Sequence, residues 1–425
     1  MLFLKYTFPG WFLTVCLFLS GTFAFADTSP LRLSSGDEVS LQRYSSDGDT
    51  LILWTPSDFG MQPPAGSLAQ ELVFDGLEVW LADLHETFFI QRGRKSVDQF
   101  DPSLLNELFD KALALSGKKK LLLMTTGSGA RPALEAARQW QLSHPGNPAL
   151  AGLILFHPSL YSGRPPLGEQ ARYLPVTAQT NLPIFIVQPT LSTTHFRVTE
   201  LQQKLQQGGA QVYLQVLPGV RDGFHVRPDD HLEEADRIAK KKLPTLIRRA
   251  ATLLLQTAPP AAASRASPEK QVSIDTPPGL KQIRLGSTPP LQLVDLSNKT
   301  RRLEDFRGQV VLISFWASWC PPCIKEMPSM NRLKGILKNK PFTILGVNVG
   351  EKKPAIQSFL KRTKVDFTIL LDEERKAYDA WNIYVVPSNF IIDSKGIVRL
   401  GSVGAVEWDS PETVGLLKGL INENN

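Results

Sequence analysis

Apolar residues gather along this chain in short runs rich in Leu, Ile and Val, set between longer stretches where apolar positions recur every third or fourth residue. LILWTP, LEVWLADL, KLLLMTT, LAGLILFHP, LPIFIVQP and VYLQVLPG are runs of the first kind. Bounded by turn residues, they predict strands buried on both faces. SLLNELFDKALAL and RPALEAARQWQL lie between them and carry the helical period. Strands alternating with helices predict an α/β fold, a mostly parallel doubly wound sheet with helices on both faces.

The pattern stops at Thr257. From there to about Gln282, TAPPAAASRASPEKQVSIDTPPGLKQ keeps no apolar period and is dominated by Pro, Ala and Ser. Such a stretch predicts a semi-extended linker on which the C-terminal third can swing freely. A β-branched run then resumes at Val310 and ends at Cys320 and Cys323, VVLISFWASWCPPC. It predicts a buried strand running into a helix, because Pro321 and Pro322 suit a first helical turn, where a missing N–H costs little. Ahead of everything, Met1 to Ala26 has a basic start at Lys5, an apolar core and an Ala24-Phe25-Ala26 ending. That predicts a secretory signal cut after Ala26. The core is short for a membrane span, which needs about 20 residues, and an uncleaved anchor stays open. The expected organisation is therefore residues 1–26 as signal peptide or anchor, 27–256 as a first domain, 257–282 as linker and 283–425 as a second domain.

Composition narrows the chemistry. A chain of 425 residues is expected to hold two domains. Its net charge of +6 is spread over short runs such as Lys118–Lys120 and Lys240–Lys242. These lack the basic stripe with interleaved aromatics that a nucleic-acid binder needs, so no nucleic-acid partner is expected. Of three cysteines, Cys16 lies in the leader, and only Cys320 and Cys323 remain in a mature chain. Two cysteines make no disulfide framework, and they suit an oxidising compartment only as a working pair. All six histidines lie in the first 231 residues, so zinc at the pair would need ligands from the other domain. No metal and no cofactor beyond the disulfide are expected. At the mouth of a helix, Cys320 would have its thiolate favoured by the dipole and free N–H groups, with Cys323 one turn on to close a disulfide.

WASWCPPCIKEMP resembles the active-site segment of the TlpA/ResA-like branch of the thioredoxin superfamily, the extracytoplasmic thiol:disulfide oxidoreductases. PPLQLVDL, the turn SNKT and RRLEDFRG resemble its opening hairpin and the loop into the first core strand. FTILGVNVGE resembles the next parallel strand, and AIQSFLKRTKVDFTILLDEERKAYDAWNI the inserted helix and strand. VVPSNFIIDSKGIV resembles the final hairpin, opened by Pro387, a proline that is cis in this superfamily. The resemblance implies a thioredoxin fold and thiol–disulfide exchange on disulfide-bearing proteins in the periplasm or cell envelope. It further implies a reductase recharged by a membrane electron donor of the DsbD/CcdA kind and serving cytochrome c biogenesis. The CPPC sequence alone does not fix the direction, so oxidase and isomerase stay open.

Within that resemblance, Cys320 attacks a substrate disulfide and Cys323 resolves the mixed disulfide. Pro387 bends the chain toward the cysteines and leaves neighbouring backbone free for a substrate strand. Cytoplasmic thioredoxins carry a buried Asp where this chain has Ser314. Glu326, three residues after Cys323 and so one helical turn away, is expected to move the proton instead. Trp316 and Trp319 are expected to shield the pair and, with Pro321, Pro322 and Val386, to line the substrate groove, core packing alone being the alternative for Trp316. Ser388 stands where many relatives have Thr, and Pro328 should kink the helix.

In the first domain, KLLLMTTGSGARPALEAA sets Thr126-Gly127-Ser128-Gly129-Ala130 between a strand and a helix, the arrangement of a nucleophile elbow. With Gly223-Phe224-His225 at the position of the base, the domain resembles the α/β-hydrolase fold. The loop that should bring the acid, after LPIFIVQP, holds Ser192 and Thr193 instead, and SDFGMQPP lacks the HGGG-type motif. Without an acid there, His225 loses the partner that fixes its tautomer, unless Asp222 or an acid after another strand is recruited. Two readings follow: a binding module on a hydrolase-like fold, or a serine hydrolase acting through Ser128 and His225 with an accessory thioredoxin domain.

Overall fold

The computed structural model describes residues 27–423 apart from 164, 266–278, 284 and 286. The expected leader, 1–26, and much of the expected linker lie outside the described residues. None of the described helices is long and apolar enough to cross a membrane.

The described chain forms two lobes, each built on an eight-stranded sheet. In the first lobe the strands are β1 (Leu31–Arg32), β2 (Glu38–Tyr44), β3 (Thr50–Trp54), β4 (Leu77–Asp83), β5 (Lys120–Thr126), β6 (Leu150–Phe156), β7 (Ile184–Leu191) and β8 (Val212–Arg221). Their order is β1-β2-β4-β3-β5-β6-β7-β8. From β4 to β8 all pairings are parallel, while β2 meets β4 antiparallel.

Alternation along the strands decides which helix layer each residue meets. Leu51, Leu53, Leu121 and Leu123 point into one core with residues of helices Pro102–Ser116, Ala130–Ser143 and Val198–Gln207. Ile52, Trp54, Leu122 and Met124 point into the other, against Pro64–Val73 and Glu234–Gln256. With both faces covered, every position of β3 is buried, and the strand reads as one apolar run rather than as an alternation. Helix Pro102–Ser116 starts where Asp101 accepts the Ser103 N–H and stops at Gly117, whose φ of 65° costs a glycine little.

In the second lobe the strands are β9 (Lys281–Gln282), β10 (Gln292–Asp295), β11 (Thr300–Arg302), β12 (Val310–Trp316), β13 (Phe342–Val349), β14 (Thr368–Asp372), β15 (Ser388–Ile392) and β16 (Val398–Val403), ordered β11-β10-β14-β13-β12-β15-β16-β9. The run VVLISFW is β12, central and wholly buried, parallel to β13 and antiparallel to β15. A parallel core with an antiparallel closing hairpin, β15–β16, is the thioredoxin arrangement. It delivers the end of β12 to the start of helix Pro321–Ile336.

The lobes are docked on each other, which differs from the freely swinging second domain expected from the linker. Leu167 of the first lobe is buried in the core of the second. Phe196 packs on Trp319 and Tyr378, with ring centroids 6.0 and 5.0 Å apart. Arg197 lies 4.6 Å over the Tyr384 ring and pairs with Asp379 at 3.3 Å. Asn382 donates to the Gly168 carbonyl. These contacts join segments far apart in sequence, so composition of the connecting stretch could not reveal them.

Candidate active site

Cys320 is the N-cap of helix Pro321–Ile336, with extended backbone angles and Pro321 in the first turn. Its Sγ is bonded to that of Cys323, the two Cα atoms 5.3 Å apart, and accepts the Cys323 N–H at 3.3 Å. Cys320 Sγ thus sits at the helix start, where backbone N–H groups lower the cost of its thiolate once the pair is reduced. Cys320 is only 3% exposed. Pro321 and Pro322 beside it are open to solvent.

The facing wall is the loop before β15. The Val386–Pro387 bond is cis, and the Val386 carbonyl oxygen lies 3.6 Å from Cys320 Sγ. Ser388 donates to the Val385 carbonyl at 2.7 Å. The hydroxyl that Thr would have supplied is therefore still present and pins the loop.

Glu326 is buried one helical turn beyond Cys323. Its Oε1 accepts the Ser314 hydroxyl at 3.3 Å and its Oε2 accepts the Val406 N–H at 3.1 Å. Burial pushes its carboxyl up to about 7, only partly offset by those donors. A carboxyl poised near neutrality can take and return a proton at physiological pH, which Ser314 cannot do.

Two tryptophans named from sequence have different fates. Trp319 is half-buried and meets Phe196 of the first lobe. Trp316 is 1% exposed and packs on Phe359 at 5.4 Å, so it belongs to the core and does not line a groove as expected. The strand-end position that placed it near the cysteines also turned it inward.

One residue escaped the sequence analysis. Buried Glu351, after β13, accepts the Ser318 N–H at 2.7 Å, the Ser318 hydroxyl at 2.5 Å and an Asn348 side-chain N–H at 2.7 Å. It thereby braces the turn that carries WASWC. The only signal was an acid at the end of FTILGVNVGE.

In the first lobe, β5 turns into helix Ala130–Ser143 through Gly127–Gly129. A Cβ on Gly129 would lie 2.4 Å from the Pro56 carbonyl oxygen, so the turn admits no side chain there. The residue with left-handed backbone is Gly127 (φ 56°), not Ser128. Ser128 Oγ accepts the Asp58 N–H at 3.3 Å.

His225 is buried against Phe156, ring centroids 4.3 Å apart, and its Nε2 shares a 2.9 Å hydrogen bond with Thr126 Oγ1. Its Nδ1 has no partner among the described residues. Desolvation, reinforced by His157 and Lys240, holds the imidazole well below its ordinary pKa. Asp222 pairs with Arg227 instead. Ser128 and His225 are thus not brought together as nucleophile and base, and no acid orients the histidine among the described residues.

No cluster of three or more His, Cys, Asp or Glu side chains suited to a metal occurs among the described residues. Residues 286–400 match the AhpC/TSA family. Among solved structures, StoA from Bacillus subtilis is 22% identical, with 32% of this chain and 98% of that one covered and a TM-score of 0.28. A thioredoxin-family thiol:disulfide interchange protein from Chlorobium tepidum is 23% identical, with 35% and 99% covered and a TM-score of 0.28.

A bonded Cys-X-X-Cys pair at the head of a helix, fed by the central strand and faced by a cis-proline loop, defines a thioredoxin-fold thiol–disulfide oxidoreductase. Over 118 residues, 28% of the chain, the sequence is 41% identical to thiol-disulfide oxidoreductase ResA of Geobacillus kaustophilus, 68% of which is covered. It is 37% identical over 121 residues to ResA of Bacillus subtilis, with the same shares covered. Through its second lobe the chain belongs to the ResA family of thiol-disulfide oxidoreductases.

Proposed function

We propose that the protein is an extracytoplasmic protein-disulfide reductase whose first lobe, an α/β-hydrolase-like domain, serves as a binding module. The observation that carries the chemistry is the buried Glu326, held near pH 7 one turn from Cys323. Cys320 thiolate attacks one sulfur of the client disulfide, forming a mixed disulfide and expelling the other client sulfur, which takes up a proton. Cys323, its proton passed to Glu326, then attacks Cys320 Sγ. That step closes the Cys320–Cys323 bond and frees the second client thiol. Two electrons have moved from protein to client, and a membrane dithiol donor of the DsbD/CcdA kind restores the pair.

The direction, the envelope location and a part in cytochrome c biogenesis rest on the likeness to the TlpA/ResA branch. The location is further supported by the leader-like residues 1–26 and by a mature chain whose cysteines are the working pair. The hydrolase-like reading of the first lobe is supported by the strand order with its antiparallel β2 and by the strand–turn–helix at Ser128. Its service as a binding module is supported by the left-handed glycine in the elbow and by His225 bonded to Thr126.

The in-cell redox state tests the direction. Alkylation of free thiols in intact cells should find Cys320 and Cys323 mostly reduced. A mostly oxidised pair would reverse the assigned direction.

A further inference from the structure

A cleft of about 410 Å³ lies between the lobes, with the Ser128 elbow and Tyr161 on one side and Val385 on the other. Val385 precedes Val386, whose carbonyl oxygen stands 3.6 Å from Cys320 Sγ. The cleft therefore opens onto the same loop that frames the attacking sulfur. A client chain joined to Cys320 and extended along this loop advances about 3.3 Å per residue. Two or three residues of such a chain span about 7–10 Å along the loop. The edge-on contact of Tyr161 with Tyr384, centroids 5.7 Å apart, holds the two walls together.

The charged residues lining the cleft, among those described, are Asp58, Arg94, Lys95, Asp98 and Arg131. Both acids are engaged. Asp58 Oδ1 accepts the Val97 N–H at 3.2 Å and lies 3.4 Å from the Ser96 hydroxyl, while Asp98 pairs with Arg131 at 2.8 Å. Arg131 also reaches Glu135 at 3.2 Å. Arg94 is exposed and makes no ion pair among the described residues.

We propose that this cleft is a client-binding subsite of the oxidoreductase, taking an acidic side chain two or three residues from the client cysteine, with Arg94 as its charge partner. The proposal rests on the reading of the protein as a disulfide reductase with a binding first lobe, and it names where and by what chemistry that lobe binds.

The test uses the full chain in reduced form with three probes: hydroxyethyl disulfide, and two synthetic peptides closed by one disulfide that carry Glu or Lys two and three residues from each cysteine. Each peptide's kcat/KM is divided by that for hydroxyethyl disulfide on the same sample, so a partly folded variant does not distort the comparison. At low salt the Glu peptide should exceed the Lys peptide about fivefold, the scale of one partly exposed ion pair. The preference should invert in Arg94→Glu and, in the unaltered protein, fade in high salt. Ser128→Trp, which fills the cleft, should lower the normalised rate of both peptides. Equal rates for the two peptides in the unaltered protein, or an unchanged preference in Arg94→Glu, would overturn the subsite. Failure to reduce even hydroxyethyl disulfide would instead sink the reductase reading and is seen separately.

Discussion

Glu326 shows how one side chain is set by what surrounds it. Burial lifts its carboxyl from an ordinary value of 4.5 to about 7. Between those pH values the folded protein keeps a proton that the unfolded chain has released, so stability is highest below about 4.5 and falls as pH rises toward 7. The loss approaches about 3 kcal/mol across the window. Glu326→Gln should remove that slope, which urea midpoints of both proteins at pH 5 and pH 8 would reveal. The same variant should slow resolution of the mixed disulfide about a hundredfold, the lower end for positioned acid–base groups, and should erase the inflection near pH 7. A rate profile unchanged by the substitution would remove Glu326 from the proton path. Its place one turn beyond Cys323 was legible in the sequence because that spacing is local. At the elbow less was legible: TGSGA names the turn, but only backbone geometry tells that Gly127, rather than Ser128, takes the left-handed conformation.

The elements that carry the site were legible where the signal was contiguous. A buried β12, two prolines and an N-capping cysteine lie in one stretch, and the helix begins where they place it. Less contiguous elements were missed. The two-residue edge strand β1 and its neighbour β2, EVSLQRY, offer few apolar residues. Helix Glu234–Gln256 hides its buried Leu243, Ile247, Ala250 and Leu254 behind the Lys240–Lys242 run and Pro244. Glu351 was invisible because its partner Ser318 lies 33 residues earlier, across the β12–β13 connection. Glu351→Ala leaves the Ser318 N–H without its acceptor, which should cost about 1–3 kcal/mol of stability. It should also slow reduction of hydroxyethyl disulfide as the turn bearing Cys320 loosens. Urea titration with that assay checks both, and a variant as stable and as fast as the parent would deny Glu351 its bracing part.

At the scale of the whole molecule, the first lobe reaches the dithiol through Phe196 on Trp319 and Arg197 between Tyr384 and Asp379. The sequence announced two halves and a linker, yet it could not announce this contact, since side chains meeting across a lobe boundary leave no periodic trace. All of the proposed work still converges on two sulfurs in 425 residues. The most direct measurement is reduction of insulin by the full chain, followed by turbidity with dithiothreitol as electron source, for the parent and Cys320→Ser. The parent should accelerate precipitation and the variant should fall to the uncatalysed rate. A variant as fast as the parent would contradict the account.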